Sequence, residues 1–275
     1  MATPESSMRH SSGFLALVLL GITACGGESP QAVRPDAPGN AVASSGTAGE
    51  WRLAGVLKDE AGRSLGNARI LACMSRVCLF GQSGADGRFS FTIDSPADLV
   101  VKTEPDLSAV PRRAPAMVPV PLAAGRQVDV GAVHVSNLPD GQRLGPPSAD
   151  PQTLQAGDGL ELTLRRAALE PALGEVLFDV AARRLPAANV PRYAALGGEE
   201  VLAVYAMHPF AARSTMPIAV KAPSNLPAGT RVKFRTINEI DGTFSEPVSG
   251  LASGEFVATD PAAGITELTH LVISR

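Results

Sequence analysis

Few residues of this sequence could do chemistry: it contains three cysteines, four histidines and a serine in a glycine-rich stretch. Cys73 and Cys78 are separated by four residues. A pair at this spacing could bind a metal, act as a redox couple or form a disulfide. No second pair of ligands lies nearby, so in an exported protein the pair predicts a structural disulfide between the arms of a hairpin. Its loop is short, so the bond contributes about 2 kcal/mol.

The histidines and Ser83 do not match the motifs of hydrolases. A zinc peptidase needs His and Glu close in sequence, and none of His134, His208 and His270 has a glutamate at a suitable spacing downstream. Ser83 is followed by Gly84 and Ala85, so the last glycine of a nucleophile elbow is missing, and a turn rather than a helix is predicted next. The sequence therefore predicts no enzyme activity, no metal and no cofactor.

The N-terminus has the order of an export signal. A basic head at Arg9 is followed by an apolar run, 14–20, and by small residues that lead to Cys25. The run falls short of the ~20 residues that a membrane-spanning helix needs. The sequence Ile22-Thr-Ala-Cys25 resembles the bacterial lipobox, in which the chain is cut before the cysteine and its thiol carries lipid. This resemblance implies a signal peptide over 1–24 and a palmitate-type lipid anchor on Cys25.

The same resemblance suggests where the anchor lies. Gly26 is not the aspartate that retains lipoproteins at the inner membrane of enteric bacteria, so an outer-membrane lipoprotein is expected. A secreted protein cut after Ala24 by the ordinary signal peptidase is the rival interpretation, and Met8 competes with Met1 as the start. Residues 25–49 are rich in Gly, Ser, Pro and Ala, and they predict a flexible tether.

The charge balance limits the choice of partners. The net charge is −3 and only 19% of the residues are charged. Such a chain offers no electrostatic footprint for nucleic acid. It also lacks the basic surplus that binds anionic lipid, so membrane contact is expected through Cys25 alone.

From Trp51 onward the pattern predicts strands. In the segment 88–93, Phe89, Phe91 and Ile93 alternate with polar residues and are expected on one sheet face. The preceding segment, 85–87, ends in a glycine and predicts a turn. The best helix candidate, 165–172, is short, so an all-β chain is expected.

Gly131 separates two valine pairs of opposite parity. Val128 and Val130 share one parity, whereas Val133 and Val135 share the other. Because strand side chains alternate, this switch predicts a β-bulge near Gly131 or a strand break.

The segment 50–136 carries a family resemblance. A first strand with Gly55-Val-Leu is followed by Asp59-Glu-Ala-Gly62, and Asp86-Gly-Arg-Phe89 starts a later strand. These features resemble the carboxypeptidase regulatory-like domain, which implies a seven-stranded, transthyretin-like β-sandwich. The proline-rich segment, 105–121, departs from the family pattern and is expected to be a long loop or an edge.

The rest of the chain predicts a second domain. Residues 137–157 contain Pro, Gly and Asp at turn-like spacings and predict a linker. Residues 158–275 alternate again, for example at Val176, Phe178 and Val180. Their strand and Asp-Gly turn rhythm, as at Asp241-Gly242, resembles immunoglobulin-like sandwiches of bacterial envelope proteins, which implies a second β-sandwich.

These observations predict a lipid-anchored envelope protein with a structural or protein-interaction role and no catalysis. Its expected partners are the membrane and envelope proteins or glycans. The alternative is a carbohydrate-binding surface module, because such modules share the sandwich fold and stack sugars on exposed aromatic rings. Trp51 is the candidate for that role. An undetected hydrolase is the third alternative, and the sequence does not fix the oligomeric state.

Overall fold

The computed structural model describes residues 51–75, 77–94, 98–121, 127–172 and 176–275. In these ranges the chain is all-β, as predicted. The first half of the molecule, residues 51–137, contains the strands β1 (Trp51–Asp59), β2 (Arg69–Met74), β3 (Val77–Gln82), β4 (Arg88–Ile93), β5 (Leu99–Thr103), β6 (Met117–Val120) and β7 (Gln127–Val135).

In the second half, residues 138–275, the described residues form twelve strands and three short 3₁₀ turns. The strands are β8 (Gln142–Arg143), β9 (Pro151–Gly157), β10 (Leu160–Arg165), β11 (Leu169–Glu170), β12 (Asp179–Arg184), β13 (Val201–His208), β14 (Ala212–Pro223), β15 (Arg231–Thr236), β16 (Val248–Ala252), β17 (Phe256–Thr259), β18 (Ile265–Leu268) and β19 (His270–Ser274). The turns are Arg166–Ala168, Ala187–Asn189 and Ala194–Leu196.

The first half is a β-sandwich of two sheets, with strand orders β4-β1-β7 and β3-β2-β5-β6. The expected alternation in β4 is confirmed, since Phe89, Phe91 and Ile93 are buried while the intervening residues are exposed. These three side chains pack in one core with Leu53 of β1 and Val101 of β5. The predicted turn before β4 is also present, and it ends at Gly87 with φ +80°.

The bulge predicted at Gly131 is confirmed. In the parallel pair of β1 and β7, Ala54 lies opposite Asp129 and Val56 opposite Ala132, so one residue of β1 faces two of β7. Gly131 adopts φ +70°, which glycine accepts without the strain of a Cβ. The extra residue reverses the side-chain alternation, and Val133 and Val135 therefore reach the core.

The second half is built from one extensive antiparallel sheet that folds around its own core. Its strand order is β8-β12-β13-β19-β15-β16-β17-β14-β10-β9, and β11 and β18 pair with β14. The long strand β14 closes the fold, because Ala212 and Arg213 pair with β18 while Lys221 to Pro223 pair with β17. Leucines of β10 and aromatic residues of β13 and β15 meet in the core.

Two local predictions for the second half differ from the structure. Residues 137–157, predicted as a linker, contribute β8 and β9, and Leu144 and Leu154 are buried in the core. Their few apolar side chains are separated by Gln, Thr, Gly and Pro, a composition more typical of a linker than of strands. Val176 and Phe178 are both 64% exposed, whereas Val180 is fully buried, so the three do not share a buried face.

Candidate functional site

The sequence singled out four site residues, which have different outcomes. Cys73 and Cys78 form a disulfide between directly paired residues of β2 and β3, as predicted. Cys25, the expected lipidation site, lies outside the described residues. Trp51 begins β1 and packs, partly buried, against the core of the first sandwich.

Ser83, His208 and His270 each contact a neighbouring group within the fold. The Ser83 hydroxyl is buried, donates to the Leu65 carbonyl at 2.7 Å and accepts from the Ala68 amide at 3.0 Å, which fastens the turn before β2. His208 faces Asp179, with 3.5 Å from Nε2 to Oδ1, whereas His270 Nε2 lies 2.8 Å from the Pro115 carbonyl. Within the described ranges, no three His, Cys, Asp or Glu side chains are grouped as a metal site.

The two halves share a hydrophobic core of their own, here called the interface core. The outer face of β2, β5 and β6 packs against the outer face of β12, β13 and β19. The buried residues are, from the first half, Leu71, Cys73, Val100, Ala114 and Met117, and from the second, Leu138, Ala181, Leu185, Tyr193, Leu196, Val204, Ala206, Phe210, Ile237 and Val272. This packing explains why β2 and β5 are buried on both faces.

Polar contacts surround the interface core. Lys102 of β5 pairs with Glu239. Arg112 donates to Asp179 at 2.8 Å from the loop that precedes β6. At the buried centre, His270 is the donor to Pro115, since a carbonyl can only accept. Burial lowers the pKa of His270 to about 4, so its ring is neutral.

Beside this interface lies a cleft of about 550 Å³, here called the Arg183 cleft. That volume is within the range typical of ligand sites. Its lining residues are Glu60, Asp158, Arg183, Arg184, Leu185, Pro186, Ala187, Val190, Val201, Leu202 and Ala203. The charged lining residues are here called the charged wall, and the apolar ones the apolar wall.

Arg183 organises the charged wall. Its Nε donates to Glu60 Oε1 at 2.9 Å, and its Nη1 lies 3.4 Å from both carboxylate oxygens of Asp158. The hydrogen bond that Arg183 donates to Glu60 raises the pKa of Arg183. Glu60 also accepts from the Asn137 amide at 3.1 Å. The guanidinium therefore joins the end of β1 to the turn between β9 and β10.

Arg184 supplies the exposed cation of the cleft. Its backbone amide donates to Asp158 Oδ2 at 2.8 Å, and its Nη2 donates to the Leu202 carbonyl at 3.3 Å. Arg184 is exposed to solvent and lines the cleft together with the partly buried Val201 and Leu202. A surface with one accessible guanidinium and an apolar wall can bind a ligand that combines an acidic or carbonyl group with an apolar one.

Sequence reasoning missed this cleft because its parts are remote from one another. Glu60 and Arg183 are 123 residues apart. Glu60 lies in a turn and Arg183 near the end of a strand, and neither segment contains a recognised motif. The one available signal was the pair Arg183-Arg184 directly after the apolar Val180-Ala-Ala182, where a strand emerges from the core. No spacing rule connects that signal to Glu60.

In comparisons with known proteins, no family model matches the chain and no curated protein matches it. Among the described residues there is no helix of a length and apolarity that could span a bilayer.

Proposed function

We propose that this chain is a lipid-anchored protein of the bacterial cell envelope, with a structural or protein-interaction role and no catalytic activity. The observation that carries the proposal is the interface core, which fixes the two halves against each other. Enzymes that close over a substrate need a hinge, whereas a spacer or docking platform needs surfaces held at fixed positions. A buried apolar interface ringed by ion pairs provides such fixed positions.

The Arg183 cleft is the surface that we assign to the interaction. It is framed by both halves, since Glu60 comes from the first and Arg183 from the second. Its shape therefore depends on the locked interface. A partner segment with an acidic side chain for Arg184 and an apolar side chain for Leu202 fits its two walls.

The anchor and the fold families belong to the same proposal. Cleavage before Cys25 and lipidation of its thiol, with retention at the outer membrane, are supported by the lipobox-like sequence at 22–25. The facing three- and four-stranded sheets of the first half support a carboxypeptidase regulatory-like, transthyretin-like sandwich. Antiparallel strands around one core support an immunoglobulin-like sandwich for the second half. Glycan binding is not adopted, because Trp51 packs against a core.

The anchor is tested by intact-mass spectrometry of the full chain purified from membranes of a lipoprotein-processing bacterium. The expected mass corresponds to a chain that starts at Cys25 and carries acyl groups, and reduction of one disulfide should add two hydrogens. The matched control is Cys25→Ser, which has no thiol to carry lipid and should be absent from the membrane fraction. An unlipidated wild-type chain would overturn the lipoprotein proposal.

The interaction role is tested in the same cells with a photo-crosslinking amino acid at Leu202 in the Arg183 cleft. The control position is Ala228, which is exposed in a turn and does not line that cleft. We expect one discrete adduct from position 202 that is lost on Arg184→Glu, and none from position 228. Equal adducts from both positions, or none from position 202, would contradict an interaction through the cleft.

A further inference from the structure

The strand β3 is a sheet edge that lacks the usual protection. It pairs with β2 on one side, and no described strand pairs with its other side. Its sequence, Val77 to Gln82, contains no charge and no proline. An edge of this kind presents a row of unpaired backbone N–H and C=O groups and is a template for another strand.

The other sheet edges in the described ranges each carry a recognised block to pairing. β4 starts with the exposed, charged Arg88, β6 contains Pro119, β7 has Asp129 and the bulge at Gly131, and β9 starts with Pro151. β8 and β11 have only two residues each, and β18 contains the charged Glu267. Charge, proline, bulges and shortness are the features that prevent edge-to-edge association. The contrast singles out β3 as the edge available for pairing.

The side chains of β3 add to this contrast. Phe80 is 64% exposed and Val77 is 58% exposed, although both belong to a regular strand. The second half covers the neighbouring β2 and β5 but leaves Phe80 accessible. The disulfide from Cys73 to Cys78 fixes β3 to β2, so the edge is held in place before any partner arrives.

We propose that β3 pairs antiparallel with β3 of a second copy of this chain, with Phe80 directly opposite Phe80 of the second copy. In an antiparallel pair, opposite residues share one face of the sheet. Pairing of 80 with 80 satisfies this rule, and it places Leu79 opposite Gly81 on the inner face. The four-stranded sheets of the two copies thereby continue across a twofold axis.

Charge favours a second copy over a foreign partner. Two copies of an uncharged edge meet without like charges opposite each other, whereas such an edge offers no charge by which to select a different protein. Arg69 stacks on Phe80 with 5.3 Å from its guanidinium carbon to the ring centroid, and it is paired with Glu104. This guanidinium is therefore already paired with an anion and does not oppose self-association.

The dimer is tested by sedimentation velocity on the full chain carrying Cys25→Ser, so that the result does not depend on the anchor. We expect concentration-dependent dimers. Phe80→Lys should weaken the dimer at least tenfold, because it sets two ammonium groups opposite each other. The matched control is Phe178→Lys, since Phe178 is also 64% exposed but lies outside any strand, and it should leave the dimer intact.

The register is tested with single cysteines and identification of the linked peptides by mass spectrometry. Opposite residues in antiparallel strands lie within the Cα distance that a disulfide spans, so Phe80→Cys should give a dimer linked at position 80. In the same register Gln82 lies four residues from Gln82 of the second copy, so Gln82→Cys should give no such link. Efficient linkage through position 82 would overturn the register.

Three results would overturn the proposal as a whole: a wild-type chain that stays monomeric, a dimer that Phe80→Lys does not weaken, or equal loss with Phe178→Lys. If the chain stays monomeric and binds an extended peptide along β3, the partner of β3 is a strand of another protein and the proposed dimer is wrong.

Discussion

Lys102 and Glu239 join the two halves of the molecule through a largely buried ion pair. The Lys102 side chain is 10% exposed, and its ammonium also donates to the Glu239 backbone carbonyl at 2.6 Å. The same ammonium lies over the ring of Phe210, 6.0 Å from the ring centroid. A lysine on a strand of the first sandwich is thus satisfied entirely by the second half.

Removing one member of this ion pair should lower the free energy of unfolding more than removing both members. Lys102→Met leaves the Glu239 carboxylate unpaired, and we expect the free energy of unfolding to fall by about 2 kcal/mol. This value is below the usual cost for a fully buried pair, because a quarter of the Glu239 side chain remains exposed. Lys102→Met combined with Glu239→Gln should recover much of the loss. Urea denaturation of Lys102→Met, of Glu239→Gln and of the double variant measures this recovery, and additive losses would contradict the coupling.

The interface core predicts one cooperative unfolding transition for residues 51–275, rather than the two transitions of domains joined by a linker. Ile237→Ala, at a fully buried position of this core, should lower the stability of the whole unit by about 2 to 4 kcal/mol. Ile240→Ala, three residues further on and 38% exposed, is the matched control and should change it by less than about 1 kcal/mol. Differential scanning calorimetry distinguishes these outcomes, and two separate peaks for the wild type would refute the single unit.

The strands and the bulge could be predicted from the sequence because their signals are local. Alternation in β4 and the parity switch around Gly131 depend on neighbours a few residues apart. The interface core could not be predicted in this way. Leu71 and Val100 alternate with residues that face the core of the first sandwich. Because such a strand is buried on both faces, its sequence is apolar throughout and does not show which element covers its second face.

The Arg183 cleft was out of reach for the same reason. Its charged wall depends on a contact between Glu60 and Arg183, which only the folded arrangement of two sheets brings together. The disulfide, by contrast, could be predicted, because a hairpin places Cys73 and Cys78 opposite each other through local geometry alone.

The disulfide closes a short loop, so its contribution to stability should be modest. Reduction of the chain carrying Cys25→Ser should lower the free energy of unfolding by about 2 kcal/mol, since the bond restricts only a few residues of the unfolded chain. Urea midpoints with and without reductant measure the effect. The variant with both Cys73→Ala and Cys78→Ala serves as a control that should not respond to reductant. A loss large enough to unfold the protein would show that the bond does more than clamp one hairpin.

His270 should make the protein less stable in mild acid. Burial lowers its pKa to about 4, below the ordinary value of 6.5. Between these two pH values the histidine is therefore protonated in the unfolded state but neutral in the native state. The contribution of His270 to the free energy of unfolding is therefore fully present above pH 6.5 and is lost as the pH falls toward 4, by about 3 kcal/mol in all.

Two other buried groups titrate in the same direction or against it. His208, whose pKa is also lowered by burial, adds to this loss, whereas Glu267, whose pKa is raised by burial, opposes it. His270→Gln keeps a donor for the Pro115 carbonyl but cannot titrate, and urea denaturation from pH 7 to 4.5 should give it a clearly flatter profile than the wild type. Parallel profiles would show that His270 is not the group responsible.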